Sequence, residues 1–244
     1  MSLSSSSFAR ATGLLVVALL GLAGCAAGDG AGTDAPDAPA ASTPVGGDVE
    51  LTSGQIADFL TQMVSEGPSS DEMTVVESFD GLEEFGVATG EPPSDPTCAD
   101  LFRVVPVLTA ASPQYALAHS RAPEGEMIGR VLFIGSDASE ADAQAVVDGI
   151  RDTLSNCSPQ RHPLSLPGRY VEFADKTPDG IDDSAVCWTT ASAADWGGTP
   201  DYQLAVVDGN QVAFSTQFTF ADAEEFTLGV DGARASLERL RGGA

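Results

Sequence analysis

QYALAHSRAPEGEMIGRVLFIG, residues 114–135, is the stretch on which the fold turns. Two runs rich in aliphatic and aromatic residues, QYALAHSR (114–121) and EMIGRVLFIG (126–135), flank Ala-Pro-Glu-Gly. Such residues fit a pleated surface, and Pro and Gly supply the turn, so the stretch reads as an antiparallel hairpin. The period then changes. In residues 136–157, Ala143, Val146, Val147, Ile150 and Leu154 recur every three or four positions, which places them on one helical face. Ser139 and Asp142 have capping-box spacing, with Asp in place of Glu. Pro159 forbids continuation beyond Cys157.

Toward the C-terminus, RYVEFAD (169–175), SAVCWTTAS (184–192) and DYQLAVVD (201–208) read as strands. The last joins QVAFSTQFTF (211–220) through Gly209-Asn210, a tight-turn pair. Alternation puts Phe214, Phe218 and Phe220 on one face of that strand. With Trp188, Trp196 and Tyr202 they form an aromatic group that reads first as core and, if the sheet is not fully covered, as the lining of a cleft for an apolar ligand. The closing segment, DAEEFTLGVDGARASLERLR (222–241), has acids early and arginines late, as a helix dipole favours. Gly229 and Gly232 weaken it and predict a break into two helices.

Toward the N-terminus, CADLFRVVPVL (98–108) reads as a short helix stopped by Pro106, and residues 80–97 as an acidic loop with prolines. DEMTVVESF (71–79) reads as a strand. LTSGQIADFLTQMVSEG (51–67) has Thr52 or Ser53 to cap it and Ile56, Phe59, Leu60, Met63 and Val64 on one face, a short amphipathic helix ended by Gly67-Pro68. Hairpins dominate this order. It predicts an α+β domain, an antiparallel sheet of about five to six strands with helices packed on one face.

The first 25 residues have three parts: a basic start with Arg10, a short apolar run over 13–22, and Leu22-Ala23-Gly24-Cys25. The run is too short to span a bilayer core, which takes roughly 20 residues, and the pattern is that of a secretory signal. Its last four residues resemble a bacterial lipobox. That resemblance implies cleavage after Gly24 and a diacylglyceryl thioether on Cys25; an ordinary signal peptide that happens to hold a cysteine is the plainer reading. Residues 26–50 are rich in Ala, Gly, Pro and Asp and cannot bury a core. As a flexible tether they would reach roughly 25–30 Å. The expected layout is therefore a signal over 1–24, a lipidated tether over 25–50 and one domain over 51–244.

A formal charge of −25, from 36 acidic and 11 basic residues, argues against nucleic acid and against docking on anionic headgroups. It suits an exported surface that must stay soluble. Lys176 is the only lysine, and Ala and Gly are abundant, as in a GC-rich actinobacterial genome. With Cys25 lipidated, Cys98, Cys157 and Cys187 remain, an odd count that permits one intramolecular bridge. Cys98–Cys157 is the expected pair, and Cys187, in the apolar context VCW, reads as a buried thiol. There is no CxxC.

Taken together, these features resemble a family, the PknH-like extracellular sensor domains of mycobacterial receptor kinases and lipoproteins. LTSGQIADFL looks like its opening helix, PTC its first cysteine, SDASEADAQAVVDGIRDTLSNC its helix into a second cysteine, Cys187-Trp188 its third, and GNQVAFSTQF its late strand. The likeness covers roughly residues 51–241. It implies a curved antiparallel sheet with a central cleft, a bridge between the first two cysteines and a role in ligand sensing. The family usually pairs its third cysteine with a fourth in the late strand; none stands near Phe218 and Thr219 here, so Cys187 lacks that partner.

Catalytic patterns are sparse. His119 precedes Ser120 in a strand, but no GxSxG presents a nucleophile, and no HExxH occurs. His162 reads as a loop residue. Asp175, Asp179, Asp182 and Asp183 form one acidic loop that calcium would fit only outside the EF-hand pattern. No metal and no cofactor are expected. The sequence thus predicts a non-enzymatic lipoprotein, anchored in the membrane through Cys25 and facing outward, that binds a small ligand or a cell-envelope protein. A lipid or glycolipid carrier, with a large apolar cavity, is the alternative. A hydrolase using His119 and a carboxylate is a further one.

Overall fold

The computed structural model describes residues 48–66, 73–78, 95–102, 104–121, 128–163, 170–193, 201–217 and 223–243. Within them the chain is α+β, with five helices and one open antiparallel sheet. The strands are β1 (Met73–Val76), β2 (Gln114–Arg121), β3 (Ile128–Ser136), β4 (Arg161–Pro163), β5 (Tyr170–Asp175), β6 (Ala185–Ala193), β7 (Asp201–Asp208) and β8 (Gln211–Gln217). Their order is β1-β2-β3-β8-β7-β6-β5-β4. The described sheet therefore has eight strands, against the five to six expected. β4 escapes notice because it is a three-residue edge strand that ends in Pro163.

Two meanders make this sheet. β1, β2 and β3 form one, β4 to β8 the other, and β8 closes the seam by pairing with β3, Phe133 opposite Phe214. Gly209, at φ +60°, makes the turn from β7 into β8. The link between meanders is α4 (Glu140–Cys157), which crosses one face of the sheet. Its N-cap is Ser139, whose hydroxyl accepts from the Asp142 amide while donating to the Asp142 carboxylate.

The helices cover both faces, not one. Along β3, Val131 and Phe133 look one way and Leu132 and Ile134 the other, and both sets are packed. On the first face lie α2 (Pro96–Phe102), α3 (Val104–Ala111) and α4, over Leu117, Phe133, Val171, Phe173, Trp188 and Phe214. Pro106 does not stop a helix there. It sits in the first turn of α3, where a missing N–H costs nothing. Cys98 and Cys157 are joined, with Cα atoms 5.8 Å apart, so α2 is tied to the end of α4 across 59 residues. On the chain-entropy account such a closure contributes about 4 kcal/mol.

The second face carries α1 (Ser53–Glu66) and α5 (Ala223–Gly242). Thr52 caps α1 by accepting from the Gln55 amide. α5 is one continuous helix: Gly229 and Gly232 do not break it, because both are buried. Its C-terminal end is held by Arg241, which donates to the Asp208 carbonyl and carboxylate and to Gln211. Among the described residues, no helix is long and apolar enough to cross a membrane.

Candidate functional site

The second face is not sealed. Near one end, α1 and α5 meet: Ile56, Phe59 and Leu60 pack with Leu237 and Leu240 over Ala116 and Ile134. The N-terminal half of α5 packs elsewhere, with Phe226 and Val230 on Ala185, Cys187, Leu204 and Val206 of β6 and β7. The two helices splay, and a cleft opens between them, floored by β3 and β8. It encloses about 80 Å³. Leu60 and Met63 of α1 form one wall, Gly229, Ala233 and Ser236 of α5 the other, and Leu132 and Ala213 the floor. The lining is mostly apolar; Ser215 and Ser236 are its polar residues, and its charged one is Arg130 of β3, on the same strand face as Leu132.

Arg130 is half-buried, and its Nε is buried without a hydrogen-bond partner. Burial pulls its pKa below the ordinary arginine value, yet arginine is not deprotonated in proteins, so the cation stands among apolar walls. Arg151, Arg161, Arg234, Arg239 and Arg241 each pair with a carboxylate. Among the described residues, no carboxylate pairs with Arg130. Sequence reasoning does not single it out, although an arginine set in the apolar run RVLFI was a visible anomaly.

A second groove, of about 460 Å³, lies on the first face between α4 and the α2–α3 pair. It is lined by Leu101, Val104, Val146 and Ile150 together with Asp100, Asp137 and Asp142. Asp137 is buried beside the Ser112 hydroxyl, and its pKa is pushed up to about 6, chiefly by burial. Three carboxylates make this groove a poor home for an apolar or anionic ligand.

Of the aromatic residues expected to line one cleft, the described ones divide between the two faces of the sheet. Trp188 and Phe214 stack at 6.0 Å between centroids in the core of the first face, and Phe214 also borders the α1–α5 cleft, as expected of it. Tyr202 points to the other face and packs on Phe226, 5.6 Å away. Phe218, Phe220 and Trp196 lie outside the described residues, as do Cys25 and the tether over residues 26–47. The physical reason for the split is register: Tyr202 pairs with Gln217 and Phe214 with Ala205, an odd offset that puts the two rings on opposite faces.

His119 is buried on β2, and Ser120 beside it turns to the opposite face, so the two make no dyad. His162 is not in a loop. It lies buried in β4, its Nε2 2.8 Å from the Cys157 carbonyl and its ring against Phe173. Cys187 is fully buried, and burial, with a smaller push from Asp175, raises its thiol to about 12, which makes it inert. In the acidic loop, Asp182 accepts from Ser184 and pairs with Arg234, while Asp175 accepts from the Thr177 amide. Among the described residues, the one cluster of metal-type donors is Cys98, Cys157 and His162, and both sulfurs are spent in the disulfide.

No protein-family model matches this sequence, and no curated protein sequence does. Among solved structures, the extracellular domain of PknH from Mycobacterium tuberculosis matches with a TM-score of 0.53 at 12% identity. The match covers 79% of this chain and 100% of that one. The resemblance read from the order of helices, strands and cysteines is thus present in three dimensions, at the level of the fold.

Proposed function

We propose that this protein is a non-catalytic ligand-binding domain held outside the cytoplasm by a lipid on Cys25. The observation that carries the reading is the α1–α5 cleft, a mostly apolar slot holding an arginine that no carboxylate among the described residues pairs with. A folded domain gains nothing from such a slot unless something enters it. The fold shared with an extracellular sensor domain agrees with it. So does the signal-like leader ending in Leu-Ala-Gly-Cys, followed by a stretch that cannot form a core. A carrier of two-chain lipids or glycolipids is not favoured, since the apolar cleft measures about 80 Å³ and the larger groove is acidic.

The anchor is tested by feeding its host a radioactive fatty acid and comparing the wild-type chain with Cys25→Ala. Label on the first and not on the second is expected; label on both removes the anchor. Ligand binding is tested by native mass spectrometry of the full chain purified from that host. A bound small molecule at a stoichiometric mass offset is expected, and a protein that arrives bare in every preparation counts against the reading.

A further inference from the structure

We infer that the α1–α5 cleft binds a single-chain amphiphile with a carboxylate head, the chain between the helices and the head on Arg130. This deepens the ligand-binding reading above and rests on it. Two observations select the ligand. The first is width. At roughly 10–15 Å³ per water-sized position, a cleft of about 80 Å³ holds about six such groups. That suits one alkyl chain lying along Leu60, Met63, Leu132 and Ala213, with Gly229 and Ala233 leaving room on the α5 side. It does not suit two chains or a fused ring system.

The second is charge. The sheet around Arg130 supplies no carboxylate among the described residues, although the chain has more than three acids for every base. Beside each of the other arginines among the described side chains stands an acid. Arg130 stands instead at the N-terminal end of β3, with Nε buried and the apolar floor running away from it through Leu132 and Ile134. A planar guanidinium beside an apolar slot matches a carboxylate that carries an alkyl tail, because the fork offers paired donors in the geometry a carboxylate accepts. A neutral amphiphile leaves the cation unpaired, and a cationic one is repelled.

The test is a calorimetric titration of the full chain carrying Cys25→Ala, so that no acyl group of its own competes. The probes are sodium decanoate, 1-decanol, decyltrimethylammonium and decyl phosphate. Decanoate is expected to bind at least tenfold tighter than decanol, and decyltrimethylammonium weakest. Across hexanoate, octanoate, decanoate and dodecanoate, affinity should rise by about fourfold per CH₂ until the cleft is filled, then level off. Arg130→Gln should abolish the preference for decanoate over decanol while leaving the near-ultraviolet circular dichroism unchanged. Ala233→Leu, which keeps the cation and fills the slot, should remove the chain-length dependence. Equal binding of decanol and decanoate, or an unchanged preference in Arg130→Gln, would overturn the inference. So would a tenfold preference for decyl phosphate, which would reassign the cation to phosphate heads. Each of these outcomes leaves the ligand-binding reading standing, since that reading falls only if the native protein carries nothing.

Discussion

The two faces of the sheet are built from the same strands and use their apolar residues differently. On the first, α4 crosses the sheet and α2 is bonded to its end, so Phe133, Trp188 and Phe214 lie in one continuous core. On the second, α1 and α5 divide the apolar surface into two clusters and leave β3 and β8 partly bare between them. The first face has a covalent tie and a crossover; the second has neither, and its helices are free to splay. Closure and opening thus follow largely from connectivity, since beyond Arg130 the residues on each side of β3 are alike apolar: Val131 and Phe133 against Leu132 and Ile134.

If the first face is the one that holds the domain together, the largest loss comes from emptying it. Trp188→Ala should cost about 3–5 kcal/mol, as large-to-small changes at fully buried aromatic sites do. Trp188→Phe should cost far less, because the indole Nε1 makes no hydrogen bond to lose. Urea unfolding of both variants checks this. Equal losses would mean that the indole is held by something besides packing. Next comes the tie itself. Replacing Cys98 and Cys157 together by serine should lower stability by about 2–4 kcal/mol. It should also open the α2–α4 groove to proteolysis while leaving α1 and α5 protected. A cut in α1 or α5 instead would show that the two faces unfold as one unit and end the contrast drawn between them.

How much of this contrast was legible in the sequence can be argued strand by strand. The hairpin of β2 and β3 and the helix α4 were legible, because the apolar period changes between Gly135 and Ala143. That helices sit on both faces was also written there. RVLFI and QLAVV are apolar at consecutive positions, and a strand of that kind has both faces covered. The hairpin-rich order suggested one covered face and outweighed that signal. β4 was not legible, since three residues ending in proline carry no period. α5 runs unbroken through Gly229 and Gly232 despite their cost in helix propensity, since both are buried in the fold. The site was the least legible. Aromatic side chains attract notice as ligand groups, but Trp188 fills a core and Phe214 borders the cleft only from that core. Arg130 matters through what does not accompany it, and only the three-dimensional arrangement shows that.

A smaller effect concerns Asp137 on the first face. Its folded pKa, about 6, lies above the 3.8 of the free side chain, chiefly through burial, with Asp142 adding to the rise and the Ser112 hydrogen bond opposing it. The folded state therefore holds a proton that the unfolded state has released between about pH 4 and pH 6. Stability from this group is full below the lower value and is lost as pH rises through the upper one. Asp137→Asn should therefore gain on the wild type at pH 7.5 and not at pH 4, read as urea midpoints. A constant difference at both pH values would mean that solvent reaches the carboxylate and that the first face is less closed than its packing suggests.

The smallest effect has the opposite sign, and it is the sharpest test of the comparison. In the continuous apolar core of the first face, every truncation should destabilise. In the cleft, removing a side chain that serves a ligand and not the fold should do the reverse. Arg130→Met keeps the length of the aliphatic stem and discards the cation. The buried Nε that lacks a partner is lost with it, and leaving such a donor unsatisfied costs about 1–3 kcal/mol. Part of that gain is lost again because Arg130 is only half-buried, so the exchange also gives up what hydration its charge retains. The expected outcome is a ligand-free domain more stable by about 0.5–1 kcal/mol, with decanoate no longer preferred over decanol, the exchange of stability for function expected at binding sites. If Arg130→Met instead destabilises by more than about 1 kcal/mol, the arginine stem is packing material. The open face would then be a looser version of the closed one.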